Sequence, residues 1–245
     1  EIFAVMVGGM ATVSGSVLGG YAAAGVDMRY LIAASFMAAP AGLMMAKLIK
    51  PDSSDVSSDD SAVHEDILAH RAANVIDAAA AGALQGLQLA LAIGALLLAF
   101  IGLIALINGM IGWGGSFFGF ENLTMQQILG YLFQPVAFMI GVPWEETRQV
   151  GSLLGQKFVL NEFIAYLDFV ASYQSELAPR TQAIVTFALC GFACLSSIAI
   201  VVGGIGILVP ERRAEMSRLG FLAVVGATLA NLMSATIAGL MLTLS

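Results

Sequence analysis

A single carboxylate within an apolar segment is the residue of this sequence that most clearly suggests chemistry. Glu162 lies in the apolar stretch 158–167, with Asn161 before it. An acid at membrane depth costs about 2.5 kcal/mol or more and usually serves a substrate, an ion or a proton path. A binding role for Glu162 competes with two simpler interpretations, an acid at an interfacial turn and an ion-pair partner for Lys157. Asp168 is expected nearer the outer end of the same segment.

Hydroxyl groups and glycines are concentrated in the first apolar run, 2–26. Thr12, Ser14 and Ser16 lie among its glycines. This pattern favours an interrupted helix, in which unwound backbone offers carbonyl groups to a cation and amides to a substrate where it lines a cavity. Small residues also let membrane helices pack closely, so close packing is the competing explanation.

The two cysteines indicate neither a metal site nor a disulfide framework. Cys190 and Cys194 lie in one apolar run, without a histidine nearby, and zinc spacing is absent. We expect both to pack as small apolar side chains.

The composition excludes a water-soluble fold. Apolar residues make up 59% of the chain and charged residues 11%, against roughly 45–50% and 25% in soluble domains. Five runs lack Asp, Glu, Lys and Arg, namely 2–26, 30–46, 78–120, 181–210 and 219–245. Since about 20 apolar residues span a bilayer, several of these runs must cross the membrane. The net charge of -7 comes largely from the loop 52–66, and the basic residues are too scattered to bind nucleic acid.

The elements that must position Glu162 follow from the pattern of charges and turn residues. Asn74 and Asp77 are expected to cap a helix over 75–108, which is long enough to be tilted, and glycines predict a break over 109–119. The mixed polar and apolar stretch that opens at Pro143 predicts a re-entrant helical hairpin with its tip near Asn161 and Glu162.

Basic residues predict the orientation of the spans. Lys47 and Lys50 place the acidic loop in the cytoplasm, and the arginines at 212, 213 and 218 place the last loop there. The first run and the run from Thr181 are then antiparallel. They also share a pattern, since 9–14 reads Gly-Met-Ala-Thr-Val-Ser and 191–196 reads Gly-Phe-Ala-Cys-Leu-Ser. Antiparallel, glycine-interrupted segments of this kind indicate inverted repeats around a midplane binding site.

These segments together resemble the bacterial concentrative nucleoside transporters, a family whose motifs occur here in order along nearly the whole chain. The matching segments are 3–6, 8–13, 33–40, 73–79, 141–145, 161–163, 190–193 and 196–198. The resemblance implies an all-α membrane protein with an inverted-repeat transporter core, a re-entrant hairpin and discontinuous transmembrane helices, assembled as a homotrimer. The family's first hairpin and early scaffold helices would precede Glu1.

The resemblance and the residue pattern together divide the chain into eight segments. These are a discontinuous transmembrane helix of repeat 1 (1–26), a transmembrane helix (27–50), an acidic cytoplasmic loop (51–73), a long tilted scaffold helix (74–108), a Gly-rich turn and interfacial helix (109–140), the re-entrant hairpin of repeat 2 (141–178), a discontinuous helix of repeat 2 (179–210) and a C-terminal transmembrane helix (211–245).

The repeat and the resemblance together place the two helix breaks around 9–14 and 191–197, facing Glu162. The resemblance also implies roles for individual residues. Glu162 and Asn161 would bind ribose, and Phe192 and Ser197 would contact base and ribose. Apolar contacts to the base would come from Val17 and Leu167. Thr12 and Val13 would coordinate sodium, Val13 through its carbonyl, and oxygen ligands suit a hard cation.

Cys194 departs from the family pattern. The family has Asn in this Gly-Phe-Ala-Asn motif and uses its amide to hydrogen-bond the ribose, whereas a thiol is a weaker partner. We therefore expect weaker nucleoside affinity than with Asn, and Cys194 is still counted among the substrate-binding positions.

The resemblance implies cation-coupled, elevator-type nucleoside uptake across the cell inner membrane by a multi-pass protein that is not an enzyme and needs no cofactor. The expected partners are a nucleoside such as uridine, Na+ as the coupling ion, and membrane lipid, without nucleic acid. Proton coupling is an alternative, because the missing hairpin supplies part of the ion site. An intramembrane hydrolase using Ser14 or Ser16 would need a general base, and a packing subunit without a site would not need Glu162.

Overall fold

A computed structural model describes residues 1–51, 74–117, 119, 123–208 and 210–244. Within those residues the protein is all-α, as predicted, without a strand. Ten α-helices are described: α1 Ile2–Ala11, α2 Gly15–Ala23, α3 Met28–Ile49, α4 Val75–Ser116, α5 Met125–Met139, α6 Thr147–Val159, α7 Glu162–Asp168, α8 Pro179–Leu189, α9 Leu195–Leu208 and α10 Arg213–Leu244. Short 3-10 turns at Trp144–Glu146 and Pro210–Arg212 and a π-helical segment at Phe169–Tyr173 complete them.

Among the described residues, three stretches of helix are long and apolar enough to cross a membrane. They are Ile2–Ala23, which includes the interruption between α1 and α2, Met28–Ile49 and Arg213–Leu244. Shorter apolar helical stretches occur at Val75–Leu84 and Ile101–Ser116 within the described residues.

The chain divides into two compact units, Glu1–Pro51 with Leu106–Ser245, and Asp52–Ala105. The second unit contributes the N-terminal part of α4. The Asn74 side chain begins that helix by accepting a hydrogen bond from the Asp77 N–H at 2.9 Å, which is the capping expected there. The predicted acidic loop lies outside the described residues, apart from Pro51.

The predicted break after Asn108 is wrong, because α4 continues to Ser116. Asn108 lies within the helix, where its side chain pairs with the start of α5 through Gln126 (3.0 Å) and the Met125 N–H (2.8 Å). A glycine costs a helix only about 1 kcal/mol, whereas an interrupted backbone in apolar surroundings leaves polar groups unpaired at a cost of several kcal/mol. The glycines of 109–115 are therefore tolerated, and the turn comes at Gly119, whose φ is +77°.

The two discontinuous helices are present, and both breaks are shorter than predicted. The first spans 12–14 between α1 and α2, so Gly9–Ala11 is helical, contrary to the expected break from Gly9. Helix α1 ends where Thr12 becomes extended (ψ 169°) and its hydroxyl and N–H both donate to the Gly8 carbonyl. The second break spans 190–194, and Leu195 to Ser197, expected within it, already belong to α9.

Helices α6 and α7 form the hairpin predicted around Asn161 and Glu162. Only 160–161 separate them. Asn161 caps α7 by accepting a hydrogen bond from the Ile164 N–H at 2.9 Å. Further from the tip, the Gln156 amide donates to the Asp168 carboxylate at 2.7 Å and joins the two arms. Whether the hairpin re-enters a membrane stays a prediction.

Helix α6 packs against α5 through a backbone-to-backbone approach at Gly151. A Cβ atom there would lie 2.6 Å from the Gly130 carbonyl oxygen and 2.9 Å from the Gln134 nitrogen. Since both neighbours are backbone atoms, neither can move aside as a flexible side chain would. This contact sets the distance between α5 and the first arm of the hairpin.

Replacing Gly151 by Ala is expected to destabilise the protein by about 1 to 3 kcal/mol, the usual cost of overpacking. Thermal unfolding of the full-length protein in detergent measures it as a lower Tm. Gly109→Ala is the matched control, because nothing lies within 4 Å of its Cβ position. Equal Tm values for the two variants would contradict the packing described here.

Candidate functional site

The Glu162 carboxylate is buried at the tip of the hairpin and only half satisfied. Its side chain is 4% exposed. Oε1 accepts a hydrogen bond from the Tyr21 hydroxyl at 3.1 Å, whereas the buried Oε2 accepts none from the described residues. An unsatisfied buried carboxylate oxygen is costly, so Oε2 is available to a ligand that can donate a hydrogen bond.

The competing interpretation of Glu162 as an ion-pair partner for Lys157 is wrong. The buried Lys157 ammonium donates instead to the Ala188 carbonyl at 2.7 Å and to Asn231 Oδ1 at 2.9 Å. Glu162 and Lys157 form no ion pair in the described part of the chain. The carboxylate is therefore not neutralised by direct contact with the lysine.

Tyr21, the hydrogen-bond partner of Glu162, lies on α2, the helix that follows the first break. It is fully buried, and its ring packs tilted against Tyr166 (centroids 4.5 Å apart) and Phe163 (5.8 Å) on α7. Val17, one helical turn earlier on α2, is also buried, at 7% exposure. The first discontinuous helix thus packs its second half against the hairpin arm that carries Glu162.

The sequence reasoning missed Tyr21. A tyrosine at i+4 from Val17, in an uncharged span, was the available signal, because it lies on the same face of α2. Its partner could not be read from spacing, since Tyr21 and Glu162 are far apart in the chain.

The first break contains Thr12 and Val13, the two residues predicted to coordinate sodium. Thr12 is half-buried, and its hydroxyl donates to the Gly8 carbonyl at 2.9 Å, which leaves its oxygen lone pairs able to accept. Val13 lies between α1 and α2 and is buried at 8% exposure. No group of three or more His, Cys, Asp or Glu side chains suited to a metal occurs in the described residues. Hydroxyl and carbonyl oxygens would fit a hard monovalent cation better than a transition metal.

The second break carries the thiol that departs from the family pattern. Cys194 is buried at 2% exposure, and its sulfur lies 3.0 Å from the Ser197 hydroxyl and 3.1 Å from the Ser196 hydroxyl. Ser197 is equally buried, and Phe192 is half-buried against the apolar core that also contains Val17 and Tyr21.

The hairpin tip touches the first turn of α9, directly after the second break. The Ser196 hydroxyl donates to the Leu160 carbonyl at 3.4 Å, next to Asn161. Because Asn161 uses Oδ1 as a helix cap, its amide NH2 is the part left for a ligand. The structure thus brings Asn161, Glu162 and the residues of the second break into one neighbourhood.

Leu167 is more exposed to solvent than the other predicted site residues. Its side chain is 37% exposed near the end of α7, whereas Val17 lies in the buried core. A contact between Leu167 and a bound base stays a prediction.

The hydrolase alternative finds no support in the described residues. Ser14 and Ser16 are exposed, and their hydroxyls lie 3.1 Å from each other. A serine nucleophile needs a general base within hydrogen-bond reach, and His64 and His70 lie outside the described residues. What the site offers is a buried acceptor, hydroxyl groups and an aromatic ring, which suits binding of a hydroxyl-rich ligand.

Comparison with known proteins identifies the family. Residues 30–239 match the sequence model of the Na+ dependent nucleoside transporter C-terminus. The chain is 53% identical over 240 residues to the uncharacterized transporter YutK of Bacillus subtilis, covering 98% of this chain and 59% of the relative. It is 49% identical over 249 residues to the nucleoside permease NupC of Helicobacter pylori, covering 100% of this chain and 58% of the relative. The chain thus spans about three fifths of the length of these relatives.

Solved structures agree in fold. The structure of CNTnw in an inward-facing substrate-bound state is 54% identical, covers 99% of this chain and 57% of that chain, and superimposes with a TM-score of 0.91. A CNTnw variant in an outward-facing state gives a TM-score of 0.93 at 54% identity, with 100% of this chain and 58% of that chain covered. The family consists of transporters and not of enzymes, and this chain is a multi-pass protein of the inner membrane. The chain belongs to the Na+-dependent, concentrative nucleoside transporter family.

Proposed function

We propose that the protein takes up nucleosides across the inner membrane in symport with Na+, by alternating access of elevator type. The observation that carries this proposal is the Glu162 carboxylate, which is 4% exposed and has one oxygen, Oε2, that accepts no hydrogen bond from the described residues. A sugar hydroxyl is a suitable donor for that oxygen. The kinship with nucleoside permeases favours a nucleoside over other hydroxyl-rich ligands.

The proposed nucleoside contacts use both the hairpin tip and the second break. Ribose hydroxyls donate to Glu162 Oε2 and meet the Asn161 amide, while Tyr21 holds the other carboxylate oxygen in place. Phe192 supplies an aromatic surface to the base, and Ser197 offers a hydroxyl to base and ribose. Val17 and Leu167 complete the apolar contacts to the base.

The proposed Na+ site is the first break. Thr12 contributes its hydroxyl oxygen and Val13 its carbonyl oxygen, and both residues lie in the interruption between α1 and α2. Oxygen donors without a buried carboxylate suit a monovalent cation that must also leave during each cycle. The relation to the Na+ dependent family supports sodium over protons.

Elevator-type movement requires the binding elements to move together. Residues of α2, both hairpin arms and the second break share one apolar core, which includes Val17, Leu153, Tyr166 and Cys190. Such a continuous core favours rigid-body movement over separate motions of its helices. CNTnw, which shares this fold, has been solved in inward-facing and outward-facing states.

A homotrimer in membrane lipid is the proposed assembly. The resemblance to the family supports the trimer, and the mass of the purified full-length protein by light scattering tests it. Large apolar side chains remain exposed on α3, such as Phe36 at 79% and Leu48 at 67%, and lipid is a suitable environment for such side chains.

Uridine uptake into proteoliposomes of the full-length protein tests the proposed transport and its coupling. An inward Na+ gradient is expected to drive accumulation, and a proton gradient without Na+ is not. Accumulation driven by protons alone would establish the proton-coupled alternative. No uptake with either gradient, from protein shown to be folded, would overturn the proposed function.

Glu162→Gln is expected to weaken nucleoside binding by about 1.5 to 3 kcal/mol, the usual value for a hydrogen bond to a charged group, or roughly 10- to 150-fold in Kd. The amide keeps the size of the side chain but loses the charged acceptor. Uridine binding by calorimetry and uptake in proteoliposomes measure the effect. The exposed Glu145→Gln is the matched control, and equal losses in both variants would contradict a specific role for Glu162.

Cys194→Asn is expected to tighten nucleoside binding, because an amide is a stronger hydrogen-bond partner for a ribose hydroxyl than a thiol is. The gain is about 1 to 3 kcal/mol, or roughly 5- to 150-fold in Kd. Cys190→Ser, at the other end of the same break, controls for the loss of a thiol. Unchanged uptake kinetics in Cys194→Asn would refute a ribose contact at this position.

A further inference from the structure

The side chain of Asn231 connects the two broken helices. It lies on α10 and is 1% exposed. Its Nδ2 donates to the Ala11 carbonyl at 2.9 Å and to the Cys190 carbonyl at 2.9 Å. Ala11 is the last residue of α1 and Cys190 follows the last residue of α8, so one amide group bridges both break points.

The orientation of this amide follows from its partners. Both neighbours of Nδ2 are carbonyl oxygens, which only accept, whereas Oδ1 accepts from the Lys157 ammonium at 2.9 Å. An ammonium only donates. Exchanging the oxygen and nitrogen of Asn231 would therefore leave three mismatched contacts, so the three partners together require an amide in this orientation.

The two carbonyls need such a donor because they lie at helix ends. The last carbonyls of a helix have no intrahelical partner, and in apolar surroundings an unpaired carbonyl costs several kcal/mol. Water or a neighbouring turn commonly meets this need in soluble proteins. Here the Asn231 side chain, from a third helix, donates a hydrogen bond to a carbonyl at each break.

Lys157 adds a second contact to the same end of α8. Its ammonium is buried at 3% exposure and donates to the Ala188 carbonyl at 2.7 Å as well as to Asn231. A cation at a helix C-terminus is favoured by the helix dipole. Lys157 therefore joins the first arm of the hairpin to the second break, through α8 directly and through Asn231.

Gly191 allows these groups to approach. A Cβ atom at this position would lie 2.5 Å from the Ala11 carbonyl oxygen and 2.5 Å from Asn231 Oδ1, and the residue has a φ of +152°. A side chain would separate the two breaks from Asn231. The two breaks thus come together at Gly191, where the absence of a side chain permits the close approach.

We propose that Asn231, supported by Lys157, couples the two breaks, so that Na+ bound at Thr12 and Val13 in the first raises the affinity for nucleoside at Phe192 and Cys194 in the second and at Ser197 just after it. The inference rests on the proposed function. Asn231 is a positioning residue here, because it touches the backbone that carries both sites. A shift of the Ala11 carbonyl on cation binding, next to Thr12, is passed to the Cys190 carbonyl through a single side chain.

The test measures coupling rather than activity alone. Uridine Kd is determined for the full-length protein with and without saturating Na+, and the ratio of the two values is the coupling. Coupling between sites is typically about 5- to 150-fold. In Asn231→Leu, which removes the donors at similar size, we expect the ratio to fall to within about twofold of unity. A purely structural role would lower the yield or Tm and leave the ratio unchanged, which would overturn the proposal.

Ser234→Ala is the matched control. Ser234 is also buried on α10, but its hydroxyl donates only to the Ala230 carbonyl of its own helix, at 3.0 Å. Its ratio is expected to equal that of the wild type, and a ratio lowered as in Asn231→Leu would overturn the proposal. Should Asn231→Leu fail to fold, Asn231→Asp replaces it, since the carboxylate keeps the Lys157 contact and loses the NH2 donors. An unchanged ratio in Asn231→Asp would overturn the proposal in the same way.

Hydrogen exchange separates this inference from the proposed function. In the ligand-free Asn231 variant, amides in the last turns of α1 and α8 are expected to exchange faster, because both helix ends lose a carbonyl partner. If the wild type binds no nucleoside, the proposed function fails and the coupling with it, while faster exchange still supports the structural bridge. Unchanged exchange in both segments would overturn the bridge itself.

Discussion

The need to pair backbone carbonyls in apolar surroundings is the constraint on which the rest of this structure depends. A helix that stops within an apolar core exposes groups that no water can satisfy, at a cost of several kcal/mol each. The protein stops two helices in this way, at Thr12 and at Cys190. It can do so because Asn231 and Lys157 meet the carbonyls of Ala11, Ala188 and Cys190. The long helix α4, by contrast, contains glycines and continues through them without a break.

Buried polar groups at the hairpin tip also need hydrogen-bond partners, but one of them has none among the described residues. Asn161 satisfies an N–H of α7, and Tyr21 satisfies one oxygen of Glu162, but the second oxygen is buried without a partner among the described residues. A buried group left unpaired lowers stability, and such groups are concentrated where a ligand completes the hydrogen bonding. The cost in the ligand-free protein is therefore consistent with a binding site rather than with a structural acid.

Local signals in the sequence were sufficient for most of the helices and for one cap. Asn74 was predicted to cap α4 and does so, whereas Asn161 was predicted only at the hairpin tip, as a ribose contact, and also caps α7. Composition predicted a membrane protein, the glycine-rich segments and the repeat indicated two interrupted helices, and the family resemblance implied the all-α fold. The extent of each interruption was overestimated, because glycine and serine content reports helix propensity and not the hydrogen-bond partners that a break requires.

The sequence by itself determined the membrane class, the helical segments, the family and the candidate status of Glu162, because these depend on composition, local pairing and motif order. Only the tertiary structure decided that Tyr21 holds Glu162, that Lys157 does not, and that Asn231 joins the two breaks. These contacts join residues far apart in the chain, and no spacing rule encodes them. They are fixed by packing, which decides which donor reaches which unpaired oxygen.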